Sequence, residues 1–283
     1  MKKIIAIACF VLVLFPCLQA QKKNTPKNAK LDTKQAVSAN IVAHRGFYKF
    51  EGSAENSISS MQNSLDHDFY GTEFDVQVTI DDNAIVFHDT KVNDIIISEV
   101  PFEIVTGFDA YKLKNGETIP MLKDYLSACV EALEMQRPRG IQTKLFCEIK
   151  PCSRPERSAR AVEYVVELFT SYGLIDNVQF LSFDFGICKK LIKIVPNKGH
   201  VFYLGGQYPP KTLYSMGIFG IDYEFKLLLE HPEWVKEAHE LNMTVGCWTV
   251  NDKDTAIEIS RLGVDFITTD LPLDVQSWLE EAK

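Results

Sequence analysis

The sequence predicts an α/β protein built as a (β/α)8 TIM barrel, and three observations carry that prediction. Short apolar runs alternate with amphipathic helical runs from residue 40 onward, the pattern of a parallel sheet with crossover helices. The apolar runs fall at 41–44, 73–78, 84–87, 145–149, 178–182, 200–204, 218–223, 244–249 and 265–268. The second and third are too close for a parallel crossover, which needs a dozen residues or more. The third run therefore turns back as a hairpin arm. Eight staves remain, in a region of about 245 residues that suits one barrel of this kind.

Helical periodicity fills the gaps at 57–66, 121–133, 159–172, 185–194, 233–241, 252–262 and 273–281. The crossover at 211–216 is ill defined, and residues 91–119 form a short irregular insertion after the hairpin of the second strand. No internal repeat and no second domain is expected within 40–283.

The first twenty residues stand apart from that fold. Lys2 and Lys3 precede an apolar run from 4 to 18 that closes with Leu18-Gln19-Ala20, which reads as a secretory signal peptide and a secreted or periplasmic product. The run is shorter than the roughly 20 apolar residues of a membrane span, so no stable span is expected in the mature protein. Acylation of Cys17 is the competing reading, although Leu14-Phe15-Pro16 lack the small residues of such processing sites. Residues 21–39 are polar, have no hydrophobic period and read as a linker.

The formal net charge of −8 falls to −10 without Lys2 and Lys3, which argues against a nucleic-acid or anionic-membrane surface. Removal of the leader leaves Cys129, Cys147, Cys152, Cys188 and Cys247, without paired metal-type spacing. They read mostly as core thiols, with one disulfide an open alternative. No nucleotide-binding glycine loop is recognisable, and no organic cofactor is expected.

In such barrels the chemistry sits where strands end in βα loops. The first stave ends in His44-Arg45-Gly46. On the second, Glu73 and Asp75 share one face while Phe74 takes the other, and Glu148-Ile149-Lys150 repeats the pattern on the next stave. Three carboxylates at one barrel mouth form a hard-oxygen site suited to a divalent cation, Ca²⁺ or Mg²⁺. The hairpin arm descends to the same mouth and ends at His88-Asp89, bringing a second imidazole. Two imidazoles beside a metal-bound phosphate can act as general base and general acid, and Arg45 and Lys150 supply donors for phosphate oxygens. The set describes phosphoryl-ester chemistry. Structural readings compete at each position. His44 with Arg45 can be a strand-end pair, Glu73 with Asp75 a solvated edge, Trp248 core, and Glu55 with Asn56 a helix cap. His67, His200, His231 and His239 read as surface or packing residues.

These residues resemble the glycerophosphodiester phosphodiesterase family, within the phospholipase-C-like TIM-barrel phosphodiesterases. The matching pieces are His44-Arg45-Gly46, Glu55-Asn56-Ser57, Glu73-Phe74-Asp75-Val76, Val86-Phe87-His88-Asp89, Glu148-Ile149-Lys150, Ser182-Phe183-Asp184, Trp248-Thr249-Val250-Asn251 and Thr268-Thr269-Asp270, in that order. The resemblance implies Glu73, Asp75 and Glu148 as metal ligands, His44 and His88 as the acid–base pair, and Arg45 and Lys150 as phosphate contacts. Trp248 would line the alcohol pocket, with Glu55, Asn56 and Asp89 in support. The implied reaction is hydrolysis of a glycerophosphodiester, a small-molecule substrate, to an alcohol and sn-glycerol 3-phosphate. In it a free substrate hydroxyl attacks phosphorus, and water opens the cyclic phosphate. Ala54 and Ser57 depart from the family's usual Pro and Thr. Two alternatives use the same residues: a lysophospholipase D or sphingomyelinase D-like enzyme, which needs an apolar entrance near 91–119, and a noncatalytic phosphate- or sugar-binding barrel. The complete set of imidazoles and carboxylates argues against the last.

Overall fold

A computed structural model describes residues 36–107 and 111–283; the expected leader and most of the expected linker lie outside the described residues. Val37, near the linker's end, is buried against the core. β1 (Asn40–Ala43) leads through α1 (Ile58–Asp66) to β2 (Gly71–Val78), from which β3 (Ala84–Val86) returns. The insertion holds β4 (Lys91–Val92), β5 (Ile95–Ile96) and α2 (Phe102–Thr106). Alternation resumes with α3 (Leu122–Gln136), β6 (Lys144–Ile149), α4 (Pro155–Ser171), β7 (Val178–Ser182), α5 (Phe185–Ile194) and β8 (Val201–Tyr203). It continues with α6 (Pro210–Ser215), β9 (Gly220–Glu224), α7 (Phe225–Glu230) and α8 (Glu233–Glu240). β10 (Thr244–Trp248), α9 (Lys253–Arg261), β11 (Phe266–Thr269) and α10 (Pro272–Glu281) complete it.

Eight strands pair in parallel in the order β1-β11-β10-β9-β8-β7-β6-β2, and β1 also pairs with β2, which closes the barrel. β3 runs antiparallel to β2, with Val86 opposite Val76. The eight staves and the returning arm are thus as the spacing predicts. Every residue of β2 is buried, as a strand covered on both faces requires. Helix starts are set by side chains that satisfy free N–H groups: Ser57 accepts from Ser60 at 2.9 Å, Asp184 from Ile187 at 2.9 Å and Asp252 from Thr255 at 2.9 Å.

Two apolar layers hold the barrel. Outward residues such as Phe74 meet the helices through Tyr125, at 4.6 Å between ring centroids. Inside, Phe146, Phe202 and Phe266 plug the barrel together with Val42, Leu181 and Leu204, with Phe146 and Phe266 at 4.9 Å. One inward step from Phe146 toward the strand C-termini stands Glu148, beside Asp75 of β2. The apolar plug is therefore the floor on which a polar mouth is built.

The crossover at 211–216 is the short helix α6, and α7 follows β9 without a loop. Each has six residues, too few to show a helical period. The insertion folds around Ile85 with Val92, Ile97, Val105 and Ile119 buried. The five cysteines among the described residues are free, four of them buried, so the open alternative of a disulfide between them falls. No helix among the described residues is long and apolar enough to cross a membrane.

Candidate active site

β2 and β6 lie side by side with Asp75 opposite Glu148. Their inward alternation brings one oxygen from each of Glu73, Asp75 and Glu148 within 4.8 Å of the others, all three residues buried. Asn56 brackets Asp75, and the Arg45 N–H donates to Glu73 Oε2 at 2.8 Å. The Lys150 ammonium sits between Asp75 and Glu148, at 2.8 and 2.7 Å. Burial raises Glu73 well above the carboxylate range, and repulsion from Asp75 and Glu148 adds to it. Burial and then Asp75 raise Glu148 to about 7, against the pull of Lys150. Burial also works to raise Asp75, but Lys150, His88 and Asn56 outweigh it and leave this carboxylate below its usual value. The donor set is all oxygen and holds more acid than one ammonium offsets, so its residues suit a hard divalent cation.

His44 follows β1 directly, and its Nδ1 meets Asp270 Oδ1 at 2.7 Å. Asp270 in turn accepts from Asn251 Nδ2 at 2.7 Å, while Asn251 Oδ1 accepts from the Asp270 N–H at 2.9 Å and from the Thr269 hydroxyl at 3.0 Å. Burial works to raise Asp270, yet the hydrogen bonds from His44 and Asn251 outweigh it and hold the carboxylate below its usual range. His88 leaves β3 with Nδ1 at 2.8 Å from Asp89 Oδ1. Gln77 of β2 anchors that turn through the carbonyls of His88 and Asp89. Arg45 is steered by Glu55, which accepts from its guanidinium at 2.6 Å. The tight turn here depends on Gly46, at φ +76°, where a Cβ would stand 2.7 Å from the Ser60 backbone.

One cavity of about 140 Å³ gathers His44, Arg45, Glu73, Asp75, His88, Glu148, Lys150 and Trp248. The sequence-predicted residues outside this lining each hold a residue within it: Glu55 holds Arg45, Asn56 holds Asp75, and Asp89 holds His88. Trp248 donates from Nε1 to the Asp222 carbonyl at 2.9 Å and meets Phe183 edge to face at 5.4 Å. Among the described residues, none of the insertion lines the cavity.

The model of the glycerophosphoryl diester phosphodiesterase family matches residues 44–274, more than half of the chain. The chain belongs to that family. A crystal structure of a family member, a glycerophosphodiester phosphodiesterase from Parabacteroides distasonis, is 34% identical with a TM-score of 0.80 over 87% of this chain and 98% of that one. A protein of Bacillus altitudinis named glycerophosphodiester phosphodiesterase is 25% identical over 255 residues, 86% of this chain and 99% of the other. An Oleispira antarctica phosphodiesterase, solved with the product sn-glycerol-3-phosphate, shares the fold with a TM-score of 0.69 at 20% identity, over 85% of this chain and 96% of that one.

Against the family pattern, one reading needs correction and three residues were missed. Asn56 does not cap α1; Ser57 does, and Asn56 turns back at φ +60° to bracket Asp75. Asn251 and Asp270 belong to the motifs that carry the resemblance, but the run of hydrogen bonds from Asn251 through Asp270 to His44 depends on β11 lying between β10 and β1, which spacing alone does not reveal. Asp222, buried and lining the cavity, has one visible signal: a carboxylate inside the apolar run 218–223. Burial and then Glu148 push it well above the usual carboxylate range.

Proposed function

We propose that the chain hydrolyses glycerophosphodiesters at this barrel mouth, releasing an alcohol and sn-glycerol 3-phosphate. The observation that carries the reading is one cavity whose lining brings together the clustered carboxylates of Glu73, Asp75 and Glu148, two imidazoles and two basic side chains. Glu73, Asp75 and Glu148 would hold Ca²⁺ or Mg²⁺, which when bound supplies Lewis-acid polarisation of a phosphoryl oxygen. Arg45, steered by Glu55, offers its remaining N–H groups to the non-bridging oxygens, and Lys150 supplies a second positive charge.

His44 is the general base of the first step. Its Nδ1 is tied to Asp270, which leaves Nε2 to take the proton from a free substrate hydroxyl as that oxygen bonds to phosphorus. His88, 40% exposed and tied to Asp89, gives a proton to the alcohol oxygen as its bond to phosphorus breaks. Opening of the cyclic phosphate by water reverses the two roles, so both imidazoles return to their starting state. A lysolipid substrate is the weaker reading, because the insertion turns Val92, Ile97, Val105 and Ile119 into its own small core. The basic and apolar leader supports action outside the cytoplasm.

The test is release of glycerol 3-phosphate from glycerophosphocholine and glycerophosphoethanolamine by metal-stripped protein resupplied with Ca²⁺ or Mg²⁺. Metal-dependent release is expected, and His88→Ala should abolish it while the variant still binds the metal. Folded wild-type protein that releases nothing with either ion would sink the reading.

A further inference from the structure

The last arm of the insertion stands outside the cavity, yet it reaches the segment that holds two cavity residues in place. Residues 111–119 fold back on themselves: Lys112 bridges Thr118, and the Leu113 N–H donates to the Glu117 carbonyl at 2.7 Å. Gly116, at φ +89°, permits that reversal. The arm is rooted in the small core of the insertion through Tyr111, Leu113 and Ile119. Its tip therefore has a footing of its own.

The tip meets the connection between β1 and α1. That connection runs from 44 to 57, well beyond the roughly 2–6 residues of most βα loops, so support from outside matters to it. Asn115 Nδ2 donates to the Gly52 carbonyl at 3.1 Å, and Glu117 accepts from the hydroxyl of Ser59, in the first turn of α1. The Asn115 amide also donates to Glu117, so the two grips form one unit. Between Gly52 and Ser59 lie Glu55, which accepts from the Arg45 guanidinium, and Asn56, which brackets Asp75. Asn56 has ties of its own, to Asp75 and from its N–H to the Arg45 carbonyl. Among the described residues the Glu55 carboxylate pairs with Arg45 and Lys114 alone, so its position follows that of its backbone. The Lys114 contact is 3.5 Å long on a side chain 88% exposed, and a pair so open to water contributes little.

We propose that Asn115 and Glu117 are positioning residues for Arg45: they fix the backbone that carries Glu55, and Glu55 fixes the guanidinium. Arg45 then meets a phosphate with its rotamer already set, whereas an unsupported arginine loses that freedom on binding. The insertion thereby raises affinity for the phosphate group without touching substrate. The inference rests on the reading of the chain as a phosphodiester hydrolase in which Arg45 contacts phosphate, and it gives the insertion a part in that contact.

The test measures turnover of glycerophosphocholine and binding of glycerol 3-phosphate by metal-loaded protein, and separately the order of the Arg45 side chain by nitrogen NMR without substrate. Glu117→Ala and Asn115→Ala should each raise KM and Kd by about 3- to 10-fold, the scale of one immobilised side chain. Because the contact is made in ground and transition states alike, kcat should stay within about twofold. The Arg45 Nε order parameter should fall in both variants. Glu117→Gln keeps the acceptor oxygen and should stay near wild type in every readout. In an Arg45→Ala background, Glu117→Ala should weaken glycerol 3-phosphate binding by less than about twofold further, since the two changes act through one contact. A merely structural role would instead lower the folded fraction, and with it kcat at unchanged KM. That pattern overturns the proposal, as does a full 3- to 10-fold loss in the Arg45→Ala background. If Glu117→Ala frees Arg45 while folded wild type hydrolyses no phosphodiester, the positioning role stands and the hydrolytic reading is removed. Turnover by wild type, with Arg45 equally ordered in wild type and both alanine variants, does the reverse.

Discussion

Asn56 holds Asp75 by two hydrogen bonds: Nδ2 donates to Asp75 Oδ2 at 2.9 Å, and Oδ1 accepts from the Asp75 N–H at 3.0 Å. One side chain therefore fixes both the backbone and the carboxylate of a residue facing the cavity. Supporting groups of this kind orient a metal ligand, and their loss typically costs about 10- to 100-fold in metal affinity. Asn56→Ala is expected to weaken Ca²⁺ or Mg²⁺ binding within that range, measured by calorimetry, with the circular dichroism spectrum unchanged. Affinity equal to wild type would mean that Lys150 alone orients Asp75.

Asp270 bears the same relation to His44. Its carboxylate fixes Nδ1 and is itself fixed by Asn251, so the imidazole presents Nε2 to the cavity in one tautomer. Asp270→Ala should lower kcat by roughly 10²-fold, the scale on which a positioned acid or base contributes, with little change in KM. Nitrogen NMR of the variant should show His44 as a mixture of tautomers. A single retained tautomer with lowered kcat would assign Asp270 to substrate contact instead of positioning.

Much of this was legible because strand period and strand spacing are simple geometry. Glu73 and Asp75 face the cavity together because side chains alternate along β2. The short separation between residues 78 and 84 forces the hairpin that delivers His88. The roles of Asn56, Asn251 and Asp270 were less legible, since each depends on a hydrogen bond to a residue on another element. Asn56 illustrates the difficulty, because helix capping is the local preference of its residue type, while a tertiary contact with Asp75 decides its conformation. The elements of the insertion were not legible for another reason: β4, β5 and α2 have only two to five residues each.

Protonation should compete with the cation at Glu148. Burial and then the Asp75 charge bring this carboxyl to about 7, above its value in an unfolded chain. The sign follows: between the unfolded value and 7 the folded protein carries a proton that the unfolded chain has lost. The metal-free fold therefore loses stability as pH rises through that window and levels off above it. A divalent cation needs the ionised form, so its affinity should fall as pH drops below 7. Calorimetry in buffers of different ionisation enthalpy should show proton release on metal binding at about pH 6 and much less at about pH 8. Equal proton release at both values would assign the titrating group to Glu73, which burial holds well above the carboxylate range.

The Lys150 ammonium, 10% exposed between Asp75 and Glu148, is the cation these carboxylates share in the metal-free protein. Removing one partner of a buried ionic cluster strands the others, at a cost of about 3–5 kcal/mol when no proton or ion replaces it. Lys150→Met should accordingly lower the melting temperature of metal-free protein. Added Ca²⁺ or Mg²⁺ supplies positive charge to the same oxygens and binds only the folded state, so it should raise that temperature further in the variant than in wild type. Thermal melts with and without a chelator measure both shifts. If the metal-free variant melts with wild type, Glu73 and Glu148 are already neutralised by protons, and Lys150 is held by Asp75 alone.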